Sequence, residues 1–163
     1  MPQVEVEEKT EFEYNELSED AKRKAVQNMY DINVDHDWWD TVYENAAEIG
    51  CEIKGFDLGW AKTIDLMVQS RFYDHDVAKK ILENHGNGCD TYQVAASYLF
   101  RWKFAADQDE FHEENTEDFQ EKIAKCYLNA LDQEYEYLTN DESIIESIGC
   151  NGYLFDEDGN HIG

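Results

Sequence analysis

The stretch CEIKGFDLGWAKTIDLMVQS, residues 51–70, decides how the chain is built. Ile64, Leu66 and Val68 alternate with Thr63, Asp65 and Met67, and Ile53, Phe56 and Leu58 alternate in part. A two-residue period turns successive side chains to opposite faces of a strand. The stretch therefore reads as a β-hairpin over 51–60 and 62–70. Gly55 and Gly59 stand at its bulge or turn points and Trp60 at its tip.

Outward from the hairpin the period lengthens to that of a helix. Ahead of it, Trp39, Val42, Tyr43, Ala46 and Ile49 form one stripe, stopped by Gly50, with Asp35 or Asp37 as cap. Further back, Ser18 precedes Glu19 and Asp20, and Leu17, Ala21, Ala25 and Met29 recur every four residues, which predicts the first helix. Val4, Val6, Phe12 and Tyr14 alternate with Glu5, Glu11 and Glu13, which predicts one or two short strands broken near Glu8-Lys9.

Behind the hairpin, Asp74 opens a helix that packs Val77, Ala78, Ile81 and Leu82 and ends at His85-Gly86. Val94, Ala95, Tyr98, Leu99 and Trp102 define another over 91–106, and Phe119, Ile123, Tyr127, Leu131 and Leu138 a long one over 116–138. Thr139-Asn-Asp-Glu142 is a capping-box pattern that starts a helix over 140–149. Residues 153–162 read as a terminal hairpin turning at Asp156-Glu-Asp-Gly159. The sum is one α+β domain over 1–163, with about six helices on a small antiparallel sheet made of the N-terminal strand, the central hairpin and the C-terminal hairpin.

Charge restricts the partners. Thirty-eight acids against thirteen bases give −25. A field of that sign repels nucleic acid, anionic membranes and most phosphorylated substrates. It also exceeds the magnitude of about 2–8 that solubility alone asks of a small domain. The 22 aromatic residues and 42% hydrophobic content supply a core, which argues against disorder. Cys51, Cys89, Cys126 and Cys150 are too far apart for a zinc ribbon or a disulfide scaffold and fit reduced thiols. No apolar run reaches 18 residues, and the start, Met-Pro-Gln-Val-Glu, carries no targeting or lipidation motif. A cytoplasmic setting is expected, with no cofactor.

The acids are unevenly spread. Residues 105–146 hold fourteen acids and two bases. The densest run is Glu110, Glu113, Glu114, Glu117, Asp118 and Glu121. As a helix it spans roughly 18 Å, or one carboxylate per roughly 3 Å of axis. One DNA strand carries a charge about every 3.4 Å. Glu110, Glu114, Glu117 and Glu121 share a face, so the row can stand in for a phosphate backbone before an Arg/Lys groove. The plainer reading is a solvated helix face that keeps the chain soluble or suits it to high salt.

Other candidates are weaker. His36 between Asp35 and Asp37, and His75 between Asp74 and Asp76, carry metal-ligand chemistry. Adjacent residues diverge, however, and both triplets sit where helix caps are expected. Cys89 near His85 suggests a thiol–imidazole pair, but an acidic surround raises a thiol pKa. Residues 156–160 lack the twelve-residue calcium pattern. No GxSxG, HExxH or glycine-rich phosphate loop is present. Trp38 and Trp39 cannot both face inward. Trp39 fits the buried stripe, so Trp38 and Trp60 are the candidate apolar anchors of an interface.

Several segments resemble one family. FEYNELSEDAKRKA (12–25), DWWDTVYENA (37–46), IKGFDL (53–58), ILENHG (81–86), CDTY (89–92), YEYLT (135–139) and YLFDEDG (153–159) are similar to small acidic tailed-phage and prophage proteins. Segments 60–75 and 98–118 share nothing specific with them. Members are described as uncharacterised or as the antitoxin of a toxin–antitoxin stability system. The resemblance implies a non-enzymatic protein that neutralises another protein, and it transfers no catalytic residue. The expectation is an inhibitor of a basic host protein, such as an anti-CRISPR or anti-restriction nucleic-acid mimic. An antitoxin masking one toxin, and a metal-dependent hydrolase using His36, His75 and nearby Asp residues, are the alternatives.

Overall fold

A computed structural model describes residues 10–162. Among these residues the architecture is α+β, with six α-helices and two small antiparallel sheets of two strands each. Two compact units are formed, one from residues up to Trp38 together with those from Tyr135 onward, the other from Trp39–Glu134.

In the second unit, α2 (Asp40–Glu48) leads into β2 (Cys51–Asp57) and β3 (Thr63–Val68). The turn from α2 to β2 requires Gly50. Its φ is +86°, and a Cβ there would lie 2.8 Å from the Phe72 ring. The hairpin pairs Cys51 with Val68 and Phe56 with Ile64, and its register shifts between Ile53 and Gly55, where the sequence predicted a bulge. α3 (Asp74–Asn84) and α4 (Asp90–Lys103) follow, then α5 (Gln108–Thr139), which gives its residues up to Glu134 to this unit. Ala46, Ile49, Cys51, Ile53, Val77, Ile81, Tyr98, Phe119 and Ile123 are buried together as its core.

In the first unit, β1 (Phe12–Glu13) passes through a 3-10 turn (Tyr14–Glu16) to α1 (Glu19–Asn28), and α6 (Asp141–Asn151) leads to β4 (Leu154–Phe155). Ser18 caps α1 as predicted, its Oγ accepting from Ala21 N at 3.2 Å. Leu17, Ala21, Ala25, Ile144, Ile148 and Phe155 form the core. Gly159 has φ +89°, and a Cβ there would come within 2.2 Å of the Ala21 carbonyl oxygen.

The expected N-terminal strand forms as β1 and pairs with β4, Phe12 opposite Phe155, but it is only two residues long. Tyr14 belongs to the 3-10 turn, which closes the strand after two residues by Glu13 N donating to Glu16 Oε1 at 2.9 Å. Val4 and Val6 lie outside the described residues. The one small sheet is instead two, β1–β4 and β2–β3, although the terminal turn survives as an isolated bridge, Phe155 to His161.

The remaining corrections concern helix ends. Neither Asp35 nor Asp37 caps α2, which starts behind Trp39; Asp35 holds the His36 ring instead. α4 stops at Lys103, and α5 begins at Gln108 rather than 116, because the Asp107 carboxylate accepts from Asp109 N and Glu110 N. α6 is capped by Asn140, whose Oδ1 accepts from Ser143 N at 2.8 Å, while Thr139 Oγ1 turns back to donate to Tyr135 O.

Candidate functional site

The early start of α5 puts the whole acidic run inside one helix. Glu110, Glu113, Glu114, Glu117, Asp118 and Glu121 are all exposed, while Phe119, Ile123 and Tyr127 on the same helix are buried. At 100° per residue the six carboxylates fall within a single arc opposite Phe119. They form a ridge rather than a scatter.

The inner side of the ridge is fixed. The Tyr98 ring of α4 lies 5.3 Å from Phe111 and 4.3 Å from Phe119, centroid to centroid. Asp74, 1% exposed at the start of α3, accepts from Gln120 Nε2 at 3.0 Å. Its other oxygen stands 3.6 Å from His112 Nδ1, an ion-pair separation too long for a hydrogen bond. One buried carboxylate thus holds α5 through Gln120 and lies close to His112, about two turns earlier on the same helix. Asp118 pairs with Lys122 at 3.0 Å. Among the described residues the five glutamates make no ion pair.

Of the other predicted residues, His36 and Trp38 belong to the first unit and Trp60 and His75 to the second. Trp60 is fully exposed at the β2–β3 tip. Trp38 is half-buried with its ring 5.6 Å from that of Tyr135, and Trp39 packs against Phe56 at 5.7 Å. His36 lies in an exposed loop, its Nδ1 3.2 Å from Asp35. The His75 ring stacks on Trp102 at 4.3 Å and on Tyr73 at 5.5 Å, while Asp76, third residue of α3, accepts from the backbone N of the cap residue Tyr73 at 2.9 Å. Among the described residues no group of three or more His, Cys, Asp or Glu is placed to hold a metal ion. No helix there is long and apolar enough to cross a membrane.

No protein-family model, curated protein or solved structure matches this chain. What the site can do rests on its own geometry.

One feature escaped the sequence reading. An open cleft of about 650 Å³ lies between α2, the α3–α4 turn and α5. Tyr127 OH donates to Asn45 Oδ1 at 2.7 Å, and His85 Nε2 reaches the same oxygen at 3.1 Å. An amide oxygen only accepts, so Nε2 carries the imidazole proton and Nδ1 accepts from the Thr91 hydroxyl. Burial holds the His85 pKa below the ordinary imidazole value, against an opposing pull from Glu48. Burial also pushes the Tyr127 hydroxyl up, so it stays a donor. The individual residues read as helix stop, core position and loop. Only tertiary structure brings them together.

Proposed function

We propose that this chain is a phage-encoded, non-enzymatic inhibitor that binds a basic host protein and occupies its nucleic-acid groove. The observation that carries the reading is the ridge, with six exposed carboxylates on the outer arc of one helix. Its spacing of roughly 3 Å per charge is close to that of one nucleic-acid strand. A buttressed helix presents those charges without an ordering cost at binding. The surrounding net charge of −25 speeds encounter with a cationic groove and makes association salt-sensitive.

The partner class is a nucleic-acid-binding defence enzyme, of the anti-CRISPR or anti-restriction kind, in a bacterial cytoplasm. The test is affinity capture from a bacterial host lysate at low and high salt. The expected result is a basic protein retained at low salt, released by about 1 M salt, and not captured when Glu110, Glu114, Glu117 and Glu121 are changed to Gln. Capture that persists in high salt, or in the four-fold variant, overturns the mimic reading.

A second reading, an antitoxin with a conventional interface, has its own support. Phe100 and Phe104 are 65% and 75% exposed with ring centroids 5.0 Å apart, and Trp60 is fully exposed. Exposed paired rings suit an apolar interface core. That reading predicts a one-to-one complex with modest salt dependence. The hydrolase alternative gains no such support, because His75 is engaged by aromatic rings and His36 by Asp35 alone.

A further inference from the structure

We propose that the cleft between α2 and α5 is a binding site for an organic cation, a guanidinium or ammonium group on a short aliphatic stem. The proposal is independent of the acidic ridge and of any macromolecular partner for it.

Size, charge and hydrogen bonding each contribute. About 650 Å³ falls within the roughly 300–1,000 Å³ of small-molecule sites. Asp90 and Glu134 line the cleft, and no lysine or arginine does. The only imidazole there, His85, has both nitrogens engaged and is held neutral. The lining therefore carries negative charge without an internal counter-ion. An anionic ligand meets two carboxylates, offset only by the N-terminus of α4 at Cys89–Thr91, which disfavours phosphates and nucleotides. A cation meets charge-assisted acceptors, which are stronger than neutral ones.

The floor discriminates further. Asn45 Oδ1 is saturated by Tyr127 and His85, so the acceptors that network leaves to a ligand are the hydroxyl oxygens of Tyr127 and Thr91. Val42 and Ala130 supply apolar wall. The matching ligand carries its charge toward Asp90 and Glu134 and lays an aliphatic stem along α2 and α5. Such a group comes from a free diamine or guanidine, or from an arginine side chain of a peptide.

Two thiols make the site testable without inhibition assays. Cys89 is exposed and lines the cleft, whereas Cys150 is exposed in α6, outside it. Maleimide labelling of the intact protein, followed by peptide mapping, reads both in one sample. The expected result is that agmatine slows Cys89 labelling saturably, by about fivefold or more at millimolar concentration, and leaves Cys150 unchanged. Glutarate at equal ionic strength gives no protection. The Asp90→Asn, Glu134→Gln double variant, its fold verified by circular dichroism, needs at least about tenfold more agmatine.

An arginine residue blocked at both termini distinguishes the sources. Protection by both compounds supports an arginine side chain as an acceptable ligand, and protection by agmatine alone supports a free amine or guanidine. Equal protection by glutarate, equal slowing of Cys150, or no saturable protection overturns the proposal.

Discussion

Changing Glu110, Glu114, Glu117 and Glu121 together to Gln should make the protein more stable while removing its proposed activity. On α5 the like-charged neighbours three or four apart that the change touches are Glu110 with Glu113 and Glu114, Glu113 with Glu117, Glu114 with Glu117 and Asp118, and Glu121 with Glu117 and Asp118. Each such pair costs about 0.2–0.5 kcal/mol on an exposed helix, so the set amounts to roughly 1.5–3.5 kcal/mol at low salt. Every pair loses at least one charge in the variant. Against this, Glu110 sits in the first turn, where a negative charge favours the helix dipole by about 0.3–1 kcal/mol. The balance is a gain of about 0.5–3 kcal/mol. For a chain of this size that raises Tm by about 1–12 °C.

The assay is thermal denaturation at about 20 mM and about 1 M NaCl, with the gain shrinking in high salt because exposed charges are screened. A Tm that falls or stays level at low salt refutes the reasoning, since it means the carboxylates support the fold. A more stable variant that still captures its partner refutes the role given to the ridge. The two readouts together separate a solubilising face from a binding one.

Other expectations test the fold around these sites. Gly159→Ala forces a Cβ to 2.2 Å from the Ala21 oxygen at φ +89° and should destabilise the first unit by about 2 kcal/mol or more, seen as faster amide exchange in α1. Under native conditions alkylation should reach Cys89 and Cys150 first and Cys126 later. Cys51 is buried with its thiol pushed up to about 12 and should react only on unfolding; early labelling of Cys51 contradicts the described core. For His85 the folded pKa is depressed, so its contribution to stability is fully present above the unfolded value of about 6.5 and is lost as pH falls through the lower folded value. Tm measured from pH 8 to 5 should therefore decline less in His85→Gln than in the parent. An equal decline places the acid sensitivity elsewhere.

What the sequence revealed follows from how local each signal is. Ser18 as cap, Gly50 as helix stop and the bulge between Ile53 and Gly55 are set by residues within a few positions, and each was legible. The start of α5 was not. Its first apolar contact is the half-buried Phe111 and its first fully buried residue is Phe119, so no apolar period marks residues 108–115, and the Asp107 cap is one acid among many. The pairing of β1 with β4 joins two-residue strands across most of the chain, too short for alternation to register. The acidic run was plain in composition, but its placement on one helix depended on that hidden cap. Asn45, His85, Thr91 and Tyr127 meet from three helices and a turn, so of the cleft only the nearness of Cys89 to His85 was legible, and the His85 nitrogens go to Thr91 and Asn45 rather than to that thiol.

The distribution of the few cations bears on whether the acidity is only solubilising. Residues 71–103 hold five bases, Arg71, Lys79, Lys80, Arg101 and Lys103, against four acids, so this stretch is nearly neutral within a chain of −25. Four of those bases lie over aromatic rings: Arg71 and Lys80 over Phe72 at 4.8 and 5.0 Å, Lys79 over Trp102 at 5.3 Å, and Arg101 over Phe111 at 5.6 Å. Cation–π contacts of this kind add about 0.5–1 kcal/mol each to a surface. Acidic residues favour solubility by themselves, but a surface without a binding role avoids large fields of one sign by interspersing charges of both signs. Here the cations are engaged with rings while five glutamates of the ridge make no ion pair, and Arg101 reaches Asn115 of α5, at 3.4 Å, rather than a ridge glutamate. Five ridge glutamates left without a counter-ion among the described residues, while the neighbouring cations sit on rings, are the arrangement expected if the missing counter-charge comes from another molecule.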